Sequence, residues 1–518
     1  MRELPVGWAH APLDAVADVL DFEREPVNSS ERERRIGGKP QRELYSYYGA
    51  TGRVGFIDSY RSEGERVLLG EDAAPFLDPT KDKAYFATGR FWVNNHAHVL
   101  LGACGLVENK FLCHQLNIVD YRPFVTGSTR LKLTSAAMRQ IRLALAPAAE
   151  QTRIVAKLEE LLSDLDAGVA ELKAAQKKLQ QYRQSLLKAA VDGTLTSAWR
   201  EAQRVNGAPV ETGEQLLARI LRERRARWEE KQLAKFKEQG KPAPRDWQKK
   251  YPEPVAPDTT DLPGLPEGWA WASIAQVASD EKYSLAIGPF GSNLKVSDYR
   301  DSGVPLVFIR NIRSGQYGSA YTTYVTAQKA EELVAHSIVV GDVLVTKMGE
   351  PPGDADVYPA GQPPAIITAD CIKIRCMRDM MHPAYLKAAI NSHVGRLQIG
   401  PMTQGVAQKK VSLGRFSVLA IPLPPADEQA AILRILGEAF SNADEQLAAI
   451  DVVLRQSAAQ RQNILRAAFS GQLVPQDPND EPASVLLERI RSERAAKVRQ
   501  SKPRSRKTGK AAKAGKAT

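Results

Sequence analysis

Cysteine and long apolar runs are both scarce in this sequence. The only cysteines among its 518 residues are Cys104, Cys113, Cys371 and Cys376. Four cysteines are too few to form a disulfide scaffold in a chain of this length, and such a low content is typical of proteins from a reducing compartment. No apolar stretch approaches the roughly 20 residues of a membrane helix, and the amino terminus carries acids where a secretory signal is apolar. We therefore expect a cytoplasmic protein that does not enter a membrane.

Recognisable catalytic motifs are also missing. The sequence contains no Gly-x-x-x-x-Gly-Lys-[Ser/Thr] phosphate-binding loop. Residues 350–353 are the string most similar to the Asn/Asp-Pro-Pro-Tyr/Phe element of adenine methyltransferases, and they lack the aromatic residue. Five potential zinc ligands have a spacing that matches no familiar zinc site; they are His96, His98, Cys104, Cys113 and His114. We predict that these five pack or form hydrogen bonds, and that the chain holds no metal and performs no catalysis.

The positive charge is concentrated in two segments. The formal net charge is +11, of which residues 495–518 contribute nine Lys and Arg and no acid. Residues 219–250 carry twelve basic residues against five acids, and the rest of the chain is slightly acidic. Such segments can hold a phosphate backbone or simply solubilise the protein. The net charge alone therefore does not identify a DNA-binding protein.

The chain contains a tandem duplication. Residues 150–195 align without a gap with residues 428–473, at a constant shift of 278 positions. Both halves open with Leu-Pro-x-Gly-Trp and both carry a later Leu-x-Arg-Ile-x-x-Glu-Arg motif, which comes eight residues sooner in the second copy. Repetition of this kind predicts two copies of one structural unit.

Between the repeated parts the two halves diverge. Residues 20–125 and 280–400 show no alignment, and they contain short β-rich runs separated by Gly and Pro turns,. Examples in the second half are residues 304–309, 337–345 and 365–374. The pattern predicts mixed α/β domains that vary independently on a fixed framework. Cys371 and Cys376 bracket an alternating strand, so we expect both to be core residues.

The repeated regions predict long coiled-coil helices. Apolar residues recur every three or four positions from residue 154 to residue 186 without a proline,, and each helix would be roughly 65 Å long. One helix cannot bury such a stripe alone, so we predict that the two copies pack together about a pseudo-two-fold axis. Docking of each helix on a foreign partner is the alternative. The predicted contact residues are Leu158, Leu165, Leu172, Leu179, Leu186, Leu436, Leu447, Ile450 and Leu454.

The chain up to about residue 495 resembles the specificity subunits of type I restriction-modification enzymes. The motifs that carry the resemblance include the two Leu-Pro-x-Gly-Trp openings (residues 4–8 and 265–269), the junction Ile-Pro-Leu-Pro-Pro-Ala-Asp-Glu-Gln (residues 421–429) and the string ahead of it (residues 405–408). The others are the paired helix ends (residues 187–195 and 465–473) and two strings of the first domain (residues 47–52 and 91–99). Two departures are modest: residues 143–151 have Ala where the family usually has Pro, and residues 130–132 replace a Gln-containing segment.

The resemblance implies a mixed α/β (α+β) fold in which two target-recognition domains are separated and joined by long coiled-coil helices, as a pseudo-two-fold tandem repeat. The expected divisions are residues 1–148 and 265–426 for the first and second target-recognition domains, 149–237 and 427–495 for the central and C-terminal helical regions, 238–264 for a Pro- and charge-rich linker, and 496–518 for a disordered basic tail.

The resemblance also implies a division of labour. Each domain would read one half of a bipartite, asymmetric DNA site, and the helical pair would set the spacer between the halves. Two modification subunits would bind S-adenosylmethionine and methylate adenine, and restriction subunits would use ATP and Mg²⁺. This chain itself would bind no cofactor and would contact double-stranded DNA and those subunits.

The candidate DNA contacts are polar and aromatic residues near Gly turns or after a strand. Arg, Lys and Asn can bond base edges in the major groove, and Tyr or Thr can meet a thymine methyl. Structural turns or solvated surface are equally open readings of the same residues. The candidates are Tyr47, Tyr48, Thr51, Asn94, Asn95, Ser292, Asn293, Lys295, Arg310, Asn311 and Arg313.

Two other functions compete with DNA reading. A coiled-coil scaffold would bind proteins through its divergent domains and have no DNA affinity. A self-sufficient DNA-modifying enzyme would need chemistry that the sequence does not show. Because the recognition domains are near neutral, we expect the isolated chain to bind DNA weakly and its partners to strengthen binding.

Overall fold

The chain forms two compact units. The computed structural model describes residues 4–207, 211–405 and 409–501. The first unit combines the chain up to Ala174 with the chain from Ile450 onward, and the second comprises Ala175–Ala449. Residues 406–408 of the family string and residues 502–518 of the predicted tail lie outside the described residues. The described residues at the two ends of the chain thus belong to one unit, which the order of segments in the sequence does not reveal.

The strands of the first unit are β1 (Ala9–Pro12), β2 (Ala17–Val19), β3 (Tyr45–Gly49), β4 (Gly52–Ile57), β5 (Ser62–Glu63), β6 (Arg66–Gly70), β7 (Ala84–Ala87), β8 (Arg90–Val93), β9 (Ala97–Gly102), β10 (Val125–Thr126), β11 (Lys132–Leu133) and β12 (Arg142–Leu145). One four-stranded sheet has the order β2-β9-β6-β7 and another the order β4-β3-β8-β5. In the second sheet β3 and β8 are parallel. The pairs β1-β12 and β10-β11 form two small sheets.

Strand β6 of the first unit is covered on both of its faces. Its Val67 and Leu69 belong to one hydrophobic cluster, and Leu68 between them belongs to another. Successive side chains of a strand point to opposite faces, so both faces of this sheet are covered. That is why β6 is almost wholly apolar instead of alternating.

The second unit repeats this topology. Its strands are β13 (Ala270–Ser273), β14 (Leu285–Ile287), β15 (Val304–Val307), β16 (Tyr324–Val325), β17 (Ser337–Ile338), β18 (Val343–Thr346), β19 (Ala355–Val357), β20 (Ala365–Ile367), β21 (Cys371–Ile374) and β22 (Ala420–Leu423). The sheet orders β14-β21-β18-β19 and β16-β15-β20-β17 match those of the first unit, and β13-β22 matches β1-β12. The strands β15 and β20 are parallel, like β3 and β8. The duplication therefore extends through the divergent regions.

Two of the β-rich runs are broken by turns. Residues 337–345 form β17 and β18, and residues 365–374 form β20 and β21, with the two members of each pair in different sheets. Gly341 adopts a positive φ of 86° between β17 and β18, a conformation that favours glycine. Cys371 and Cys376 are buried, as predicted.

The helices are α1 (Leu13–Val16), α2 (Ser29–Ile36), α3 (Asn109–Leu116), α4 (Ser135–Arg139), α5 (Ala148–Val191), α6 (Ser197–Val205), α7 (Gly213–Glu238), α8 (Ile274–Val277), α9 (Ile309–Ser314), α10 (Ala327–Glu332), α11 (Pro383–Asn391), α12 (His393–Met402), α13 (Leu413–Ser417), α14 (Ala426–Ala468) and α15 (Ala483–Ser501). Helix α15 continues past residue 495, where the sequence suggested that helix gives way to tail. Among the described residues, no helix is long and apolar enough to cross a membrane.

The long helices α5 and α14 pack on each other in both units. In the first unit Arg461 donates to Asp166, 2.6 Å apart, and in the second Arg183 forms an ion pair with Asp444. Arg183 and Arg461 are repeat equivalents, and so are the two aspartates. The same pair of positions thus recurs with the helices exchanged, which is the pattern of reciprocal packing between repeated helices.

The predicted apolar stripe is only partly buried. Leu158 and Leu436 are buried, whereas the other predicted contact residues are half-buried; these are Leu165, Leu172, Leu179, Leu186, Leu447, Ile450 and Leu454. Tyr182, in the middle of the predicted stripe, is 49% exposed. A helix pair covers only a narrow seam, so positions at its margins remain accessible.

A shorter helix that follows each long helix contributes apolar side chains to the core of a unit. Leu216 and Ile220 of α7 lie in the core of the second unit, and Leu486 and Ile490 of α15 lie in that of the first. The repeated motif at the start of both helices places these leucines and isoleucines on the same face. The first copy of the repeat therefore supplies α7 to the second unit, and the second copy supplies α15 to the first unit.

Candidate functional site

The carboxyl ends of the parallel strands β3 and β8 bring several candidate residues together. The backbone N–H of Asn94 donates to the carbonyl of Tyr48, 3.0 Å away. A Cβ on Gly49 would lie 3.2 Å from the Asn94 side chain, so the β3–β4 turn and the turn after β8 touch. Thr51 and Asn95, at the tips of these turns, are exposed. They are the members of the predicted set that the first unit offers to a ligand.

The tyrosines of β3 support this edge from beneath. Tyr47 is only 2% exposed, and its hydroxyl accepts from the N–H of Val27 at 3.0 Å. Tyr48 is half-buried and packs edge-on against Phe91, with ring centroids 5.5 Å apart. Asn94 is also buried, and its side chain accepts from the N–H of His96. The structure places these three candidates in the framework instead of on its surface.

Basic residues beside this edge were missed by the sequence analysis. Arg32 of α2 lies over the ring of Tyr47, 5.0 Å from its centroid, and Arg53 of β4 lies 4.9 Å over Phe56. Arg34 and Arg53 are exposed, and neither has a carboxylate partner among the described residues. In the sequence the arginines of α2 alternate with Glu31 and Glu33, whose charges largely cancel theirs, so the net charge gave no signal. The helical spacing of Arg32 and Arg35 was the signal that could have identified this basic surface.

His98, one of the five potential zinc ligands, has structural partners. His98 is fully buried, with Nδ1 2.8 Å from Asp21 and Nε2 3.1 Å from the carbonyl of Leu133. Burial alone would raise the pKa of Asp21, but hydrogen bonds from His98 and Val99 lower it below its usual value. In the described part of the chain no group of three or more His, Cys, Asp or Glu could hold a metal ion.

The second unit presents a different set of side chains at the equivalent strand ends. The N–H of Thr368 donates to the carbonyl of Val307, 3.0 Å away, as Asn94 does to Tyr48. A Cβ on Gly288 would lie 1.9 Å from the Thr368 carbonyl, so the loop of residues 288–295 packs closely against the turn after β20. Three predicted residues of that loop are exposed: Ser292, Asn293 and Lys295.

The three candidates on α9 have different surroundings. Arg310 is exposed, stacks 4.3 Å over Phe308 and donates to the Thr322 hydroxyl. Asn311 is 2% exposed and caps the helix, because its side chain accepts from the N–H of Phe308. Arg313 is exposed but donates to Asp354 at 2.8 Å. Arg310 is thus the most available of the three, and Asn311 is part of the framework.

Lys347, which the sequence analysis missed, also lies at this edge. Its ammonium group donates to the carbonyl of Ala369 at 3.2 Å and lies 6.0 Å over the ring of Phe290. It follows β18 directly, and the run of β-branched residues ahead of it was the available signal. The edge therefore carries at least three cationic side chains, Lys295, Arg310 and Lys347.

The repeated Trp and Glu-Gln motifs form the same buried hydrogen-bonded contact in each unit. Trp8 donates to Glu150 at 2.9 Å, and Trp269 donates to Glu428 at 2.8 Å. The adjacent glutamines, Gln151 and Gln429, are 1% exposed, and their side chains accept from the backbone N–H groups of Glu108 and His382 in the same unit. These motifs join each opening strand to the start of a long helix, so their repetition reflects architecture.

Comparisons with known proteins agree with one another. A family model described as the type I restriction modification DNA specificity domain matches residues 5–175. The chain is 38% identical over 190 residues to the Haemophilus influenzae protein named as type I restriction enzyme specificity subunit S.HindORF215P, covering 35% of this chain and 46% of that protein. That match spans less than half of the relative's own length. The Escherichia coli type I restriction enzyme EcoDI specificity subunit is 24% identical over 512 residues, covering 95% of this chain and 97% of that protein.

A solved structure shares the fold. A chain from a study of complex assembly and conformational transition of the type I R-M system superposes with a TM-score of 0.57 at 16% sequence identity. The superposition covers 91% of this chain and 100% of that chain. At this identity the likeness supports the architecture of two repeated units and long helices.

Proposed function

This chain belongs to the specificity subunits of type I restriction-modification systems, and we propose that it selects the DNA sequence on which a larger enzyme acts. The observation that carries the proposal is the repetition of one topology with different exposed side chains at the same strand ends. A fixed framework with two independently variable surfaces is what a reader of a two-part DNA site requires. A coiled-coil scaffold without DNA affinity is not favoured, since a relative that matches nearly the whole chain is a specificity subunit.

The two surfaces would read different half-sites. The first unit exposes the hydroxyl of Thr51 and the amide of Asn95, whereas the second exposes the cations of Lys295 and Arg310. Arg and Lys bond the O6 and N7 atoms of guanine, while an amide suits adenine and a Thr methyl suits thymine. We therefore expect a bipartite target whose halves differ in sequence.

Basic residues around these edges would position the DNA backbone. Arg34 and Arg53 of the first unit are exposed without a carboxylate partner in the described chain. Contacts from such side chains to phosphates supply affinity and register but little sequence information. The long helices α5 and α14 would fix the number of unread bases between the halves, because a helix pair resists bending.

The chemistry would come from partner subunits. We propose that this chain is non-catalytic and that two modification subunits bind S-adenosylmethionine and take the target adenine out of the stack for methylation. Restriction subunits using ATP and Mg²⁺ would join that core. This division is supported by the absence of recognisable catalytic motifs in the sequence and by the family.

The experiment that tests the function is mapping of N6-methyladenine across the host genome, with and without the gene for this chain. Loss of one bipartite, asymmetric motif on deletion is the expected result, and it also delivers the target. If no methylated motif changes while the modification subunits are expressed, the chain is not their specificity subunit. A second measurement compares DNA retention of the chain alone and with modification subunits, where we expect weak and strong retention, respectively.

A further inference from the structure

The buried glutamate of the second unit binds an arginine of the same chain. One oxygen of Glu428 accepts from the Thr196 hydroxyl at 2.6 Å and from the Arg200 guanidinium at 2.5 Å, while the other accepts from Trp269. The guanidinium also donates to the carbonyl of Gly193 at 2.7 Å and lies 5.9 Å from the centroid of the Trp269 ring. Every acceptor of this small site is therefore used.

The first unit repeats the tryptophan, the glutamate and the glycine, but no cation pairs with its glutamate among the described residues. The Thr196 hydroxyl, which accepts from Arg200 at 3.2 Å, is replaced by Val474. Trp8, Glu150 and Gly471 are the repeat equivalents of the tryptophan, glutamate and glycine just described. Trp8 donates to one oxygen of Glu150, but the other oxygen is buried and has no hydrogen-bond partner among the described residues. Glu150 as a whole is 1% exposed. A buried acceptor without a donor is costly to leave unsatisfied.

The missing cation follows from a difference between the repeats. Arg200 lies on α6, and the second copy of the repeat has eight fewer residues between its helix end and its next motif. The chain from Gln472 to Pro482 forms no helix, and α15 begins directly afterwards. The second copy thus has no counterpart of α6 to place an arginine beside Glu150.

The place where that arginine would lie is an acidic cleft of about 300 Å³. Glu150, Asp477 and Asp480 line it together with the ring of Trp8. Arg153 is the nearby cation, but it is already engaged by Asp480 at 2.6 Å. Burial raises the pKa of Glu150 above its usual value, although the hydrogen bond from Trp8 and the charge of Arg153 act to lower it,.

We propose that this cleft, the Glu150 cleft, receives the guanidinium of an arginine carried by a partner protein. The second unit supplies the template, because there the equivalent carboxylate and glycine carbonyl accept from a guanidinium of α6 that lies near the equivalent tryptophan ring. A planar guanidinium can bond the carboxylate and the glycine carbonyl at once while its face lies near the indole ring; a lysine ammonium lacks that fork. The identity of the partner as a subunit of the assembled enzyme rests on the proposed function.

The free chain provides the first test, with N-acetyl-L-arginine methylamide as the probe and NMR titration as the measurement. We expect millimolar binding to the full chain, and binding weakened at least about fivefold by Glu150→Gln. Glu159→Gln is the matched control, since it makes the same change at an exposed position of the same helix and should leave the affinity within about twofold. No binding, or equal affinity in Glu150→Gln, overturns the proposal.

A second measurement protects the test against a variant that does not fold. Crystals of the unaltered chain soaked with methylguanidinium should show density beside the unpartnered oxygen of Glu150. A crystal in which that position stays empty, while the probe binds elsewhere, contradicts the assigned site.

The partner arm uses the reconstituted complex with modification subunits. If a partner arginine fills the cleft, the complex should no longer bind the arginine probe there, and Glu150→Gln should weaken assembly. A complex that still binds the probe with unchanged affinity refutes the partner assignment. If no complex forms at all, the proposed function fails instead, and the titration of the free chain still decides whether the cleft binds guanidinium.

Discussion

At the scale of single residues, burial separates the residues that build the framework from those that can meet a ligand. Tyr47 and Asn311 were both predicted as DNA contacts, and each has its polar group bonded to backbone inside the protein. Thr51 and Arg310 lie on exposed turns or helix ends of the same sheets. Residue type and a neighbouring glycine cannot make this distinction, because it depends on which other segments pack over each side chain in the folded unit.

Tyr47→Phe and Arg53→Gln should therefore have opposite effects. Removal of the Tyr47 hydroxyl leaves the N–H of Val27 without its partner and should lower the free energy of unfolding by about 1 kcal/mol, with DNA retention of the complex unchanged. Arg53→Gln should leave stability unchanged and reduce the slope of log affinity against log salt by about 1. Urea unfolding and salt-dependent DNA binding measure the two effects; weaker DNA retention in Tyr47→Phe alone would contradict this assignment.

The two buried glutamates should differ in what they contribute to stability. Glu428→Ala leaves the Arg200 guanidinium without its carboxylate partner, and removal of one partner of a buried ion pair costs about 3–5 kcal/mol. Glu150→Ala removes a carboxylate with one hydrogen bond and no bound cation in the described chain, so its cost in the isolated protein should be nearer to about 1 kcal/mol. Urea denaturation of both variants checks the order. An equal loss in the two would show that Arg200 adds little.

Lys373 should make the stability depend on pH above neutrality. Burial lowers its pKa to about 8 in the folded chain, from an ordinary value of 10.5, although its ammonium donates to the Ser337 carbonyl at 2.7 Å. Between these two values the unfolded chain binds more protons than the folded one, so this residue makes stability rise as pH increases. Lys373→Met should remove that part of the rise. Unfolding measured at about pH 7.5 and about pH 11, on either side of that window, tests it, and an unchanged difference would contradict it.

At the scale of elements, long periodic helices were easier to predict than short strands. The helical regions predicted to begin at residues 149 and 427 correspond to helices that begin at Ala148 and Ala426, because a stripe repeated over many turns leaves little choice of register. The runs 337–345 and 365–374 were each divided by a turn between two sheets. A short apolar run does not say which sheet it joins, since both sheets bury similar side chains.

Helix α15 should be required for the first unit to fold. Truncation after Pro482 removes Leu486 and Ile490 from its core, and loss of one large apolar core side chain already costs about 2–5 kcal/mol. Truncation after Arg499 keeps both and is the matched control. We expect the first truncation to raise hydrogen exchange throughout β2, β6 and β9, and the second to leave it unchanged. Full protection after the first truncation would mean that α15 packs there without stabilising the unit.

At the scale of the whole molecule, the two units should be separable in function. Thr51→Ala with Asn95→Ala alters the exposed edge of the first unit, and Lys295→Ala with Arg310→Gln alters that of the second. Each pair should relax the bases of one half of the methylated motif, because each loses base-edge hydrogen bonds worth about 1–3 kcal/mol. Methylation mapping of strains carrying each variant provides the measurement. Relaxation of both halves by one pair would contradict independent reading.

The sequence by itself determined the duplication and the two long helices, and it indicated their pairing and the resemblance to type I specificity subunits. These features follow from local periodicity and from motifs that occur twice, so they can be predicted without knowing which distant residues are in contact. It could not show that the divergent regions share one topology, since strand pairing there joins residues far apart in the chain and many apolar side chains satisfy it. Nor could it show that the opening of the chain and its last helix complete one unit. Those features, and the unpartnered oxygen of Glu150, depend on which distant segments meet, and only the tertiary structure decides that.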